Sequence, residues 1–208
     1  MIAIVDYGVG NLFSLKSSFA AIGEEAAVTK DEAVLHAADK ILLPGVGAFG
    51  DAADKLRLSG LDKVVIEEAK AGKPLLGVCV GMQLLFEKDF EYGEHDGLGL
   101  IPGEVRDIGE VIDPSLKKPQ IGWNRLAFRK IAGTDGPSRL FRYIREGDYV
   151  YFVHSYAATH CEDYVSAVTD YSAELVAAVE KDNVYGTQFH PEKSGPVGLA
   201  ILKAFCEI

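Results

Sequence analysis

The sequence predicts an α/β fold: a mainly parallel central sheet with helices on both faces and an antiparallel strand extension in the C-terminal half. Three observations predict it. Short continuous apolar runs at Ile2–Val5, Lys40–Leu43 and just before Cys79 suit strands buried on both faces. Helical periodicity lies between these runs, and strand–helix alternation implies a parallel sheet covered on both sides. In the last third, strand-like runs follow one another with little between them, the order of an antiparallel extension.

Taken in order, Ile2–Val5 ends at Asp6-Tyr-Gly-Val-Gly-Asn11, after which Leu12, Leu15, Phe19 and Ile22 recur at helical spacing until Gly23. Gly8-Val-Gly10 suggests a dinucleotide-binding turn, but Phe13 stands where that motif needs its third glycine, and a tight βα turn is the better reading. Ala26–Val28 is a weak second strand and Lys40–Leu43 a third. Pro44-Gly-Val-Gly-Ala-Phe-Gly-Asp51 then places three glycines in eight residues at a strand end, the mark of a loop whose backbone approaches something closely. Helical patterns over Ala52–Leu58 and Leu61–Ala71 lead to Gly72 and Pro74, which introduce the strand before Cys79. A helix-like run follows at Met82–Phe86.

Past Lys88 the pattern changes. Glu91–Gly99 reads as a polar, Gly-rich loop, a pair of short strands flanks Pro119–Asn124, and Ile131–Arg145 has no assignable periodicity. Tyr149–Val153, Val165–Thr169, Leu175–Val179 and Val184–Gln188 read as successive strands, with Asp182-Asn183 as a hairpin turn. Gly198–Phe205 is a closing helix. No repeat, low-complexity tract or linker divides the chain, so residues 1–208 are expected to form a single domain.

Composition narrows the function classes. The 208 residues are 48% hydrophobic and 25% charged, with a formal net charge of −10. No Lys/Arg run offsets that charge, which argues against nucleic acid or an anionic membrane as the main partner. The three cysteines are odd in number and lack C-x-x-C spacing, so neither a disulfide framework nor a zinc site is expected. The first residues lack a signal-peptide pattern and no apolar run approaches the ~20 residues of a membrane helix, so a cytoplasmic protein is expected. Nothing in the sequence asks for a cofactor or a metal.

The chemistry centres on Gly77-Val-Cys-Val-Gly81, set between a strand and a helix. A nucleophile flanked by glycines in that position is a nucleophile elbow, here with Cys instead of Ser. The turn is too sharp for flanking side chains, and N–H groups of a following helix stabilise negative charge nearby. A buried core Cys between packing glycines is the competing reading. A Cys nucleophile needs a base and a group to hold that base. Among the five histidines, His154 ends a strand and His190 lies in Gln188-Phe-His-Pro-Glu192. In an extended segment residues two apart point the same way, so Glu192 can orient His190 and complete a Cys–His–carboxylate triad. An oxyanion hole would take one donor from the Val80 N–H and a second from the glycine loop at Val46 or Gly47.

These motifs together resemble the triad-type, class I glutamine amidotransferases. Within them they are most similar to the glutaminase subunits of imidazole glycerol phosphate synthase. The elbow and His190-Pro-Glu192 are common to the class. Asp6-Tyr-Gly-Val-Gly-Asn11, Pro44-Gly-Val-Gly47, Gly122-Trp-Asn124 and Val153-His-Ser-Tyr156 carry the narrower resemblance. The resemblance implies hydrolysis of the glutamine side-chain amide through a thioester on Cys79, with Gln83, Glu91, His154, Ser155 and Tyr156 lining the substrate pocket. It also implies a heterodimer with a (β/α)8 cyclase subunit, docked on the face carrying Asn11, Trp123 and Lys193. The cyclase would use the ammonia to make imidazole glycerol phosphate and an aminoimidazole carboxamide ribotide in histidine biosynthesis. Alternatives are the glutaminase of pyridoxal phosphate synthase, whose loop reads Pro-Gly-Gly-Glu-Ser where this chain has Pro44-Gly-Val-Gly-Ala48, and a non-catalytic scaffold, which would be expected to lose triad residues. A cysteine hydrolase of related α/β type would leave Val153–Tyr156 and Gly122–Asn124 unexplained.

Overall fold

A computed structural model describes residues 1–134 and 136–208. The N-terminal half alternates strand and helix: β1 (Ile2–Val5), α1 (Leu12–Ala21), β2 (Ala26–Thr29), α2 (Glu32–Ala37), β3 (Lys40–Leu43), α3 (Phe49–Leu58), α4 (Leu61–Lys70), β4 (Leu75–Val78) and α5 (Val80–Gln83). Small strands β5 (Lys88–Asp89), β6 (His95–Asp96) and β7 (Glu104–Asp107) follow, then β8 (Gln120–Arg125) and β9 (Ala127–Phe128). The chain continues through β10 (Tyr149–His154), β11 (Tyr156–Thr159), β12 (Val165–Asp170), β13 (Glu174–Lys181), β14 (Val184–Thr187) and α6 (Gly195–Cys206).

The main sheet runs β2-β1-β3-β4-β14-β13-β12-β9. β2, β1, β3, β4 and β14 pair in parallel; β13, β12 and β9 add antiparallel. Every residue of β1, β4 and β14 is buried, as strands covered on both faces must be. The crossovers β1-α1-β2 and β2-α2-β3 move to opposite sides of β1. Right-handed connections therefore put α1 and α2 on opposite faces. α6 joins α1 on one face, while α4 packs on α2 and α3 on the other. β11-β7-β5-β6 form a second sheet and β8-β10 an antiparallel ribbon.

Local expectations are corrected at several points. The helix after the elbow is a single turn, Val80–Gln83, and does not reach Phe86. The carbonyls of Leu84, Leu85 and Phe86 instead accept N–H groups from Leu98, Leu100 and Gly99, so this backbone is tied to a neighbouring loop. Gly97 permits that approach, since a Cβ there would lie 2.0 Å from the Phe86 carbonyl oxygen. Gln120–Arg125 is itself one strand, β8, paired along its length with β10, where the sequence predicts two strands flanking 119–124. Helix α2 carries too short an apolar pattern to be legible; Leu35 is its one buried residue and Asp31 caps its N-terminus. The polar stretch Glu91–Gly99 also holds a strand, β6. Within Ile131–Arg145 the structure has a 3₁₀ turn at Arg139–Phe141, and Asp135 lies outside the described residues.

Candidate functional site

Three adjacent strands of the sheet end at the site. β3 leads into the glycine loop, β4 into Cys79, and β14 into Gln188–Glu192. At the elbow, Cys79 has φ 55° and ψ −115°, a conformation that is costly for a residue with a Cβ and is held by its surroundings. The surroundings are backbone packed on backbone. A Cβ on Gly81 would fall 2.0 Å from the Leu43 carbonyl oxygen, one on Gly77 2.5 Å from the Gly81 carbonyl oxygen, and one on Gly45 2.4 Å from the Gly81 nitrogen. Only glycine at all three positions lets the loop, the strand and the elbow touch. Because α5 is a single turn, it supplies local N–H groups rather than a long macrodipole. The Val80 N–H is one of its unclaimed first-turn donors.

His190 and Glu192 meet by a different route from the one expected. Pro191–Lys193 is a 3₁₀ turn opened by proline, not an extended segment, and the turn brings the two side chains together. Both are almost fully buried, and His190 Nδ1 lies 2.8 Å from Glu192 Oε1. A carboxylate only accepts, so Nδ1 carries the proton and Nε2 is left for the thiol. Burial opposes the charged ring, but hydrogen bonds with Cys79 and Glu192 outweigh it and raise the His190 pKa to about 9. The ring's backbone is held as well: the His190 N–H donates to the Tyr151 carbonyl, and Ser194 Oγ–H donates to the His190 carbonyl at 2.7 Å.

His154, the other histidine in contention, is in the opposite state. Burial pushes its pKa down to about 4, against a bond to the Tyr156 carbonyl and helped by the nearby His190 charge. Its Nδ1–H donates to the Tyr156 carbonyl oxygen at 2.8 Å. Nε2 of this neutral ring must accept, and its contact is the Gln120 side-chain amide at 2.8 Å. That pairing requires the amide to present its NH2, a rotation that also gives a partner to the otherwise unpaired, buried Gln120 Nε2. With both nitrogens engaged, His154 holds no free position for the Cys79 proton.

A cavity of about 390 Å³ lies over these groups. Cys79, Val80 and His190 line it together with Val46 and Gly47 of the glycine loop. So do Gln83, Glu91, His154, Ser155 and Tyr156, and Lys193 stands at its margin. Glu192 is behind His190, out of the cavity, as an orienting group should be. Gln83 Nε2 donates to the Tyr156 carbonyl and to Gln188 Oε1, and Gln188 Nε2 donates to Cys79 Sγ at 3.8 Å. Glu91 Oε2 accepts the Phe49 N–H at 2.6 Å. Asn11 and Trp123 are not in the cavity. Trp123 lies on the exposed face of the β8-β10 ribbon, edge-on to Tyr151, and Lys193 Nζ stands 5.9 Å from the centre of the same Tyr151 ring.

Sequence reasoning missed Gln188, Gln120, Tyr151 and Phe13. Gln188 stands two residues before His190, so the period of a strand could have pointed to it. Gln120 has no local signal; its role depends on the β8-β10 pairing, which sets it opposite His154. Phe13, 82% exposed on the first turn of α1, and Trp123, 52% exposed on β8, are apolar surface residues whose exposure no local pattern marks.

The family described as Glutamine amidotransferase class-I matches residues 3–208. The chain is 47% identical over 210 residues to the imidazole glycerol phosphate synthase subunit HisH of Wolinella succinogenes, covering all of both chains. It is also 47% identical to the subunit of the same name from Methanothermobacter thermautotrophicus, over 100% of this chain and 98% of the relative. Among solved structures, a glutamine amidotransferase superposes with a TM-score of 0.74 at 18% identity over 100% of this chain and 98% of the other, which bears on the fold alone. PurLQS from Thermotoga maritima gives 0.72 at 18% identity over 99% and 97%. The matched span, the full-length identity and a strand-end thiol facing a buried imidazole agree: the chain belongs to the class-I glutamine amidotransferases, in the family of the HisH subunits of imidazole glycerol phosphate synthase.

Proposed function

We propose that the chain hydrolyses the side-chain amide of L-glutamine to glutamate and ammonia and delivers the ammonia to a (β/α)8 cyclase subunit, in the cytoplasm, as one half of a heterodimer. The single observation that carries the catalytic part is the shared cavity: the Cys79 thiol, the His190 imidazole and a polar rim in one space sized for an amino acid. The Cys79 thiolate attacks the amide carbon and a C–S bond forms. The oxyanion is met by the Val80 N–H and by an N–H of Val46 or Gly47, each such donor worth about 3 kcal/mol at the transition state. His190 gives its proton to the amide nitrogen, the C–N bond breaks and ammonia leaves. His190 then takes a proton from water, whose oxygen attacks the thioester carbon; the C–S bond breaks and glutamate is released. Glu192 keeps the imidazole in the Nδ1–H tautomer throughout.

For the substrate's fixed end, Glu91 is the carboxylate for an α-ammonium, while Gln83, His154, Ser155 and Tyr156 supply the remaining polar wall. For the partner, the reading rests on the exposed apolar side chains of the β8-β10 ribbon, Ile121, Trp123 and Tyr149, of which Trp123 lies against Tyr151. Lys193 stands over Tyr151 of that ribbon, and Asn11, at the start of α1, is assigned to the same docking face by the family resemblance. Lys193 directly follows Glu192, so an ion pair from Lys193 to the partner would act next to the triad. A Lys193→Ala protein that the cyclase stimulates as well as wild type rules that link out.

The test is glutamate release from glutamine by wild type and Cys79→Ala, each alone and with the cyclase plus its ribonucleotide ligand. Partner-stimulated release confined to wild type is expected. Stimulation that survives Cys79→Ala would falsify the mechanism.

A further inference from the structure

The loop between β3 and α3 carries the second oxyanion donor of the proposed reaction, and the structure holds it at both ends. At its far end the Phe49 N–H is bonded to Glu91. At its near end the Tyr7 hydroxyl donates to the Pro44 carbonyl at 2.6 Å, a buried bond between residues 37 apart in sequence. Tyr7 sits just beyond β1, and the residue is 6% exposed. Next to it, Gly10 (φ +116°) lets the same turn lie against the Pro44 ring, where a Cβ would fall 2.8 Å from Pro44 Cβ. The following residue, Gly45, is pressed on the Val80–Gly81 backbone. The Pro44–Gly45 peptide is thus fixed by a phenol on one side and by the elbow on the other.

We propose that Tyr7 is a positioning residue of the reaction, fixing through the Pro44 carbonyl the Pro44–Gly45 peptide, the first unit of the loop whose next two peptides carry the Val46 and Gly47 N–H groups. This rests on the glutaminase reading above. Burial pushes the Tyr7 hydroxyl well above its usual value, with the nearby Cys79 and Asp51 charges adding to the shift, so it remains a donor at every working pH. Two other consequences of the geometry matter. Removing the hydroxyl leaves the ring and its packing in place. It also leaves a buried carbonyl without its donor, which favours a rotated Pro44–Gly45 peptide.

The experiment compares wild type, Tyr7→Phe and Cys79→Ala, with the cyclase and its ribonucleotide ligand present, by two readouts. Glutamine hydrolysis uses the oxyanion donors. Alkylation of Cys79 by iodoacetamide, a displacement at a saturated carbon, uses the thiolate and His190 but no oxyanion hole. Expected for Tyr7→Phe is a kcat lower by about tenfold, a KM for glutamine within about twofold of wild type, and an unchanged rate of Cys79 alkylation, the size following from a weakened single donor. Equal kcat in wild type and Tyr7→Phe overturns the proposal, and so does a matching loss of kcat and alkylation, which places Tyr7 in support of the triad instead. No Cys79-dependent hydrolysis in wild type is the separate outcome that removes the glutaminase reading itself.

Discussion

The Glu91 carboxylate is shared between two duties: its Oε2 accepts the Phe49 N–H at the start of α3 at 2.6 Å, and it also faces the cavity. It is held there from behind by Asp89, whose Oδ1 accepts the Glu91 N–H at 2.6 Å. Glu91→Gln keeps an acceptor for Phe49 but removes the charge a substrate ammonium would meet. The expected outcome is a KM for glutamine raised by about tenfold with kcat within about threefold, the pattern of a lost binding contact. Steady-state kinetics of the partner-bound enzyme check it.

The two buried histidines should separate cleanly. His190→Asn is expected to slow Cys79 alkylation at pH 7.5 by about 10²-fold, because the imidazolium that would hold Cys79 as a thiolate is gone. His154→Asn should leave that rate within about threefold, since the neutral ring already spends both nitrogens on Tyr156 and Gln120. Equal losses in the two variants would reassign the base.

Their titrations act on stability with opposite signs. His190 is raised from its ordinary 6.5 to about 9 in the fold, so its contribution is fully present below pH 6.5 and is lost as pH rises through 9. His154 is depressed to about 4, so its contribution is fully present above pH 6.5 and is lost as pH falls toward 4. The fall in Tm between pH 7 and 9.5 should therefore be smaller in His190→Asn than in wild type. Between pH 6.5 and 4, His154→Asn should fall less than wild type. Differential scanning calorimetry across that range reads both.

Close backbone contact, not conformation alone, should decide the cost of adding a methyl group. Gly81→Ala would place Cβ 2.0 Å from the Leu43 carbonyl oxygen, whereas at Gly72, φ +96°, nothing lies within 4 Å of the added atom. Gly72→Ala is expected to cost about 1 kcal/mol from its left-handed backbone, and Gly81→Ala about 3 kcal/mol or more, with loss of turnover. Urea denaturation midpoints distinguish them.

Most of the site was legible because its parts are short and local. Gly77–Gly81, His190-Pro-Glu192 and the glycine loop each announce their chemistry within a few residues. What escaped depends on tertiary partners. The short α5 could not be foreseen, since it is the downstream loop Leu98–Leu100 that takes the carbonyls a longer helix would use. The His190–Glu192 contact was foreseen with the wrong geometry: two residues apart reads as a strand, but Pro191 opens a 3₁₀ turn that achieves the same meeting. Gln120 and His154 meet through the β8-β10 register, which no window of sequence contains.

The order β3-β4-β14 in the sheet has a consequence for how this site tolerates change. The glycine loop, Cys79 and His190 follow directly from three neighbouring strands, so their separations are inherited from the ~4.8 Å inter-strand repeat rather than from any flexible connection. The sheet serves as a ruler. Substitutions in surface helices can alter how firmly the ruler is clamped, but its graduations are hydrogen-bonded backbone. A variant can therefore lose much of its stability and still, in the fraction that remains folded, hold thiol and imidazole at the working distance.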